Sequence, residues 1–293
     1  MKPQFQALYG AAIFLSTSNL GSLHGQLIHR YSFSNTAGNA TGGLLTDSVG
    51  GAHGVVQGAG ALFTGGGLDL PGGSSDTAAY GDLPNNLISV HSTVTVEGWV
   101  TIDAGGPSWT RIFDFGSTEG GGEITGPGNT NGGGAQGLDY FMLSASRGAD
   151  HNVQRIEIRN EDPAGGGVST LDSGVATVFG GRIHFAVTWE DTGVGTSQVN
   201  YWRDGVQMTT DGVVNSNLAD LNDVNMWLGR STWLNDGNLD ATFDEFRIYD
   251  EAFNQASVDA SIAAGPNAAV IPETSSSLLS LIGLAMALRF RRR

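Results

Sequence analysis

The sequence predicts an all-β fold, two antiparallel sheets packed face to face and closed by one short C-terminal helix. Two observations predict it. Forty-five glycines and eight prolines among 293 residues describe many tight turns between short elements. Several segments also alternate apolar and polar residues with period two, as a strand with one buried face must.

The clearest run is Ser92 to Ile102, where Val94, Val96, Gly98, Val100 and Ile102 share one face. Ile183, Phe185, Val187 and Trp189 repeat the pattern in Arg182 to Glu190, and Phe246 and Ile248 mark it in Thr242 to Tyr249. Further strands are expected at Leu27 to Phe33, Leu62 to Leu70, Arg111 to Phe115, Tyr140 to Ser144, Gln154 to Arg159, Val199 to Arg203 and Met226 to Gly229. Asp204-Gly205, between Tyr201-Trp202-Arg203 and Val206-Gln207-Met208, is a hairpin signal, because glycine accepts the positive φ of a tight turn. Gly120 to Gly137 and Pro163 to Gly167 read as surface loops. One helix is expected from Gln255 to Ala264, capped by Asn254 and ended by Gly265-Pro266. The chain has no cysteine, so disulfide staples and thiol chemistry are excluded.

Both ends differ from this body. Met1-Lys2, an apolar stretch from Ala7 to Leu15, and small and polar residues to Gly25 follow the order of a secretory signal peptide, cut near Gly25 or Gln26. At the other end, Ile271-Pro272-Glu273-Thr274 precedes the uncharged Leu278 to Leu288 and then Arg289-Phe290-Arg291-Arg292-Arg293. This resembles the PEP-CTERM sorting tail of Gram-negative bacteria, although Thr274 stands where a second proline is usual. The resemblance implies an exported surface protein, held transiently in the inner membrane by a hydrophobic tail helix and processed by an exosortase near Pro272 and Glu273. The organisation expected is therefore a signal peptide over 1–25, a folded domain over 26–265, and a linker with sorting tail over 266–293.

Charge excludes one class of partner. Residues 26 to 270 carry nine arginines, no lysine and 28 of the 29 carboxylates, a net of −19. Such a surface repels a phosphate backbone, so nucleic acid is a poor partner. Acidic loops can instead supply oxygen ligands to calcium, or simply keep the surface dispersed.

The body also carries a resemblance of its own. Leu27-Ile28-His29-Arg30-Tyr31-Ser32-Phe33 and Asp47-Ser48-Val49-Gly50-Gly51-Ala52-His53-Gly54 come first in the series. Thr95-Val96-Glu97-Gly98-Trp99-Val100, His184-Phe185-Ala186-Val187-Thr188-Trp189 and Tyr201-Trp202-Arg203-Asp204-Gly205 follow in the middle. Phe243 to Ala252 closes it. From about Gln26 to Gly265 these motifs, in this order, resemble a laminin G-like, concanavalin A-like domain, which implies a jelly-roll sandwich.

The candidate sites follow. On the strand parity of Phe246 and Ile248, Asp244 should point toward the core side and need a cation or several donors. Asp47 is the natural second oxygen donor if first and last strands are neighbours. The resemblance implies a structural calcium there, with backbone carbonyls near Gly50 and His53; a hydrogen-bonded Asp-turn is the other reading of the same residues.

Catalysis finds little support. The Glu-x-Asp-x-(x)-Glu pattern of laminarinase-like glycosidases on this fold is absent, and Glu157 with Glu161 and Asp162 straddles a strand end and a loop. Trp109 and Trp233 fall in loop contexts, where an indole can stack on a sugar ring or pack locally. Trp99, Trp189, Trp202 and Trp227 sit in strands and read as core. The reading that results is a non-catalytic surface or exopolysaccharide-associated module binding a polysaccharide or an extracellular protein. The alternatives are a glycoside hydrolase or lyase with an unusual acid arrangement, and a purely structural calcium-stabilised surface protein.

Overall fold

A computed structural model describes residues 26–130, 132–148, 153–160 and 167–268. The chain enters through five short strands, β1 (Leu27–Tyr31), β2 (Gly38–Asn39), β3 (Leu44–Leu45), β4 (Gly54–Gln57) and β5 (Leu62–Phe63). Then come β6 (Leu68–Gly73), β7 (Tyr80–Leu83), β8 (Thr93–Ile102), β9 (Arg111–Thr118) and β10 (Gly137–Arg147). β11 (Val153–Asn160), β12 (Gly167–Asp172), β13 (Arg182–Gly193), β14 (Thr196–Arg203) and β15 (Val206–Val214) follow. β16 (Asn225–Leu228), β17 (Asn238–Tyr249) and the helix α1 (Gln255–Ala264) complete the fold.

These strands form two sheets. One has nine strands in the order β15-β14-β13-β8-β17-β6-β5-β2, with β1 also pairing β17; the other has eight, β12-β11-β10-β9-β16-β7-β4-β3. The period-two residues of the sequence meet between them. Val94, Val96, Val100, Ile183, Phe185, Val187, Trp189, Phe246 and Ile248 face Phe113, Phe115, Phe141, Leu143, Ile156 and Ile158 in one buried core. Phe185 packs against Phe113 and Phe246, and Phe141 meets Trp189 edge-on with ring centroids 5.2 Å apart. Gly98 lies opposite Phe185 in the ladder, and a Cβ there would strike that ring at 2.7 Å. Asp204 and Gly205 both take positive φ, 51° and 80°, which makes the β14–β15 hairpin turn. Helix α1 has the expected bounds, with the Asn254 side chain accepting from Ser257 N.

Three expectations are corrected. Leu62 to Leu70 is not one strand: the chain turns through Gly65–Gly67, and β5 pairs back on β6. The glycine-rich stretch 120–137 is not only a surface loop, since Ile124 is fully buried with Tyr80, Trp227 and Leu234. Asp244 does not share the core face of Phe246. The pairing of β17 with β8 slips between Phe243 and Glu245, a bulge that puts Phe243 and Phe246 both inward and turns Asp244 out toward Arg182, 3.3 Å away. A bulge changes parity by one residue, which alternation alone cannot show.

The outer faces of the two sheets differ, and that difference places the site. Outside the nine-stranded sheet, α1 covers Ala186, Trp202, Tyr249 and Phe253. Beside them a buried polar network joins Glu97 to His184 at 2.8 Å and to Tyr249 at 3.0 Å, and Glu245 to Arg247 at 2.8 Å. Around this network the face is closed. Outside the eight-stranded sheet, the stretch around Ile124 covers β7 and β16, pinned by Asn225, whose side chain accepts from Ile124 N and donates to Gly116 O. Over β9 and β10 the outward Asp114, Tyr140 and Met142 are also buried, while Arg155, Glu157 and Arg159 of β11 are half-buried.

Among the described residues no helix is long and apolar enough to cross a membrane. The signal-peptide segment and the sorting motif Ile271-Pro272-Glu273-Thr274 lie outside the described residues, as do Glu161, Asp162 and most of the expected loop at Pro163 to Gly167.

Candidate functional site

The outer face of the eight-stranded sheet carries a groove of about 320 Å³ lined by Trp109, Arg111, Glu157, Trp233 and Asp236. Two of these are the tryptophans singled out by sequence, and neighbouring strands bring them together. Trp109 immediately precedes Thr110 and β9, Trp233 follows β16, and β9 pairs β16 with Phe113 opposite Leu228.

The loop bearing Trp233 is fixed from below. Asp114, wholly buried on β9, accepts from the Thr232 backbone N–H at 2.9 Å and from the Thr232 hydroxyl at 3.1 Å. Burial pushes the Asp114 carboxyl up to about 7, against the opposing pull of Arg111, whose Nε lies 3.4 Å away, and of the Thr232 donors. Trp233 N donates to Ser231 Oγ at 3.0 Å, and Asp236 N to Trp233 O at 2.9 Å, so the loop is a closed turn. Asp236 accepts from Arg111 Nη2 at 3.1 Å, and burial raises its carboxyl above the ordinary range.

Trp109 is held in the left-handed region at φ 64°, an uncommon conformation for a bulky residue. Its N–H donates to Ser146 O at 2.9 Å, and its carbonyl accepts from Arg111 Nη1. The guanidiniums of Arg111 and Arg155 each lie 5.7 Å from the Trp109 ring, and that of Arg159 lies 5.3 Å from the Trp233 ring. Arg155 makes a forked pair with Asp172 at 2.7 and 3.1 Å, and Tyr140 donates to Glu157 at 2.5 Å. Flat indoles beside planar guanidinium and carboxylate groups suit a ligand with apolar C–H faces and a polar edge.

The residues proposed for calcium sit elsewhere, and they do not fit the ion. Asp47 lies where expected, bridged to Tyr31 of β1, which pairs β17. Its Oδ1 accepts from the N–H groups of Arg30, Val49 and Gly50 at 2.9 to 3.0 Å; its Oδ2 accepts from Ala52 N at 2.9 Å and meets His29 Nδ1 at 2.7 Å. Burial pushes this carboxyl up, yet the donors outweigh it and hold it below its ordinary value. His53 Nδ1 accepts from Asp47 N at 3.1 Å, and Gly50 contributes an N–H rather than an oxygen to the carboxylate. Calcium needs six to eight oxygen ligands. Here both carboxylate oxygens are already taken by N–H donors, and Asp244 is paired with Arg182. Among the described residues, no group of three or more His, Asp or Glu is placed to hold a metal.

Sequence reasoning missed Arg111, Asp236 and the Arg155–Asp172 pair, and weighed Glu157 only as a candidate acid. Nothing local marks these residues, because the register of three strands and the course of one loop gather them.

The relationship to known proteins is now readable. A family model described as the concanavalin A-like lectin/glucanases superfamily matches residues 75–259. The chain belongs to this superfamily. No curated protein matches it by sequence. Among solved structures, it resembles domain 4 of an extracellular arabinanase from Geobacillus stearothermophilus, in complex with arabinotriose. That match has a TM-score of 0.54 at 18% identity, over 80% of this chain and 97% of the other. It also resembles the Trypanosoma rangeli sialidase in complex with sialic acid, with a TM-score of 0.52 at 16% identity, over 78% of this chain but only 31% of the sialidase. At these identities the likeness concerns the fold.

Proposed function

We propose that this member of the superfamily is an exported, non-catalytic module that binds a saccharide in the Trp109–Trp233 groove. One observation carries the reading: two indoles from separate loops line one groove together with Arg111, Glu157 and Asp236. The arabinanase domain of the same architecture is described with arabinotriose, which supports a sugar as the ligand class. Export, tethering in the inner membrane and exosortase processing rest on the signal-peptide pattern and on the PEP-CTERM resemblance of the tail.

The non-catalytic part rests on the acids. Asp114 is fully buried and cannot reach a ligand, Glu157 is engaged by Tyr140, and Asp236 by Arg111. A glycosidase needs two carboxyl groups flanking one bond, one to donate a proton and one to attack or activate water.

The test is affinity electrophoresis of the full-length protein against a polysaccharide panel, with a reducing-sugar assay on the same mixtures. Retardation by at least one polysaccharide, lost in Trp233→Ala, without sugar release, is the expected result. Retardation that Trp109→Ala and Trp233→Ala both leave unchanged removes the groove, and released sugar removes the non-catalytic reading.

A further inference from the structure

We infer that the groove selects acidic saccharides, taking a sugar carboxylate on the arginines that flank its indoles, chiefly Arg155. This rests on the saccharide reading above and narrows it to a chemical class. The starting observation is where the arginines are. Of the nine in residues 26 to 270, four (Arg111, Arg147, Arg155 and Arg159) stand on β9, β10 and β11. Asp114, Asp139 and Glu157 stand on the same strands, and Asp172 and Asp236 pair with these arginines, so four arginines here meet five carboxylates. The rest of the body holds five arginines against 23 carboxylates, so the patch is far less acidic than its surroundings. Salt screens charges beyond about 8 Å at physiological ionic strength, so a bound ligand feels the patch rather than the acidic body. Asp114, with its carboxyl pushed by burial to about 7, is partly uncharged at neutral pH, which makes the patch less acidic still.

Placement matters more than the count. The guanidiniums of Arg111 and Arg155 lie over the Trp109 ring, each 5.7 Å from its centroid, and that of Arg159 over the Trp233 ring at 5.3 Å, so a sugar that reaches either indole meets an arginine directly. Stacking presents the edge of the sugar ring outward, which is where the C6 carboxylate of a uronic acid extends. Arg155 has the capacity to receive it. Its Nε and Nη2 are bound to Asp172, while Nη1 makes only the longer ion pair, 3.6 Å to Glu157. A guanidinium offers five N–H donors, so the Nη1 pair can serve a new carboxylate. Arg147, 38% exposed and shared with the same Asp172, lies next to it. Neutral hydroxyls would also bond here, but only a carboxylate adds charge to these contacts, and charge-assisted bonds are roughly twice as strong.

The experiment is isothermal titration of the full-length protein with trigalacturonate, trimannuronate and triguluronate, each beside its methyl ester, which keeps the shape and removes the charge. At least one acid is expected to bind about tenfold or more tightly than its ester, the size of one charge-assisted contact. Arg155→Ala should bring that ratio close to one. Should Arg155→Ala lower the melting temperature, Arg147→Ala on the exposed side provides the second variant, expected to reduce the same ratio. Esters that match or exceed their acids in all three pairs overturn the inference. If neutral polysaccharides still bind and Trp233→Ala still abolishes it, the saccharide site stands while the acidic class falls; if nothing binds, both fall.

Discussion

Thr232 hangs from Asp114: its backbone N–H and its hydroxyl both donate to that one buried carboxylate, so a β9 side chain sets the position of the next residue, Trp233. The carboxylate has an ordinary value of 3.8 and is raised to about 7 in the fold. A folded carboxyl that holds its proton more tightly than the unfolded one stabilises the fold most at low pH. That contribution is lost as pH rises from about 4 to about 7. The urea midpoint should therefore fall between pH 5 and pH 7.5, and fall less steeply in Asp114→Asn. Parallel profiles for the two proteins would show that Asp114 is not the group responsible.

Trp109 carries backbone strain for the sake of its side chain. A residue with a Cβ at φ 64° costs about 1 kcal/mol that glycine does not. Trp109→Gly is expected to keep the melting temperature within a few degrees of the parent, because relief of strain offsets lost packing, while saccharide retention disappears. Trp109→Ala should lose retention as well but melt lower than Trp109→Gly. An alanine variant as stable as the glycine variant would mean that the left-handed turn stores no strain.

Most of the sandwich was legible because alternation is a direct imprint of a half-buried strand. Val94 to Ile102, Ile183 to Trp189 and the Asp204-Gly205 turn sit where their pattern put them. What failed to show was whatever depends on register or on partners distant in sequence. The slip at Asp244 is a one-residue event, and no residue type announces it. β2 to β4 and β7 are too short for a period to appear. The site was half legible for the same reason: a tryptophan in a loop stands out by itself, whereas Glu157 matters only because β11 lies beside β10 and puts Tyr140 within reach.

Asp47 should be a stability residue. Removing its carboxylate leaves four backbone N–H donors without their acceptor near the junction of β1 and β17. Asp47→Ala is expected to cost about 3 kcal/mol in denaturant unfolding. Because its carboxyl is held below the ordinary range, its contribution is complete above that range and fades as pH falls through it, so parent and variant should converge in acid. Calcium or a chelator should leave the parent's melting temperature unchanged. A rise with calcium that Asp47→Ala abolishes would show that the ion displaces these donors.

Gln26, the first described residue, and the groove lie at opposite ends of one strand. β17 starts at Asn238, two residues past Asp236 in the groove, and stops at Tyr249, next to Asp250, whose carboxylate binds the N–H of Gln26. Twelve residues of strand span about 40 Å. The last described residues are held beside the helix, where Arg247 Nη2 donates to the carbonyls of Gly265, Pro266 and Ala268 at 2.9 to 3.2 Å. A protein captured through its C-terminus should therefore keep its groove free and bind saccharide within about threefold of its solution affinity, a difference under 1 kcal/mol. Coupling through Asn235→Cys, exposed beside Trp233, should abolish binding. Surface plasmon resonance in the two orientations decides it: equal loss in both would mean that the tethered ends approach the groove after all.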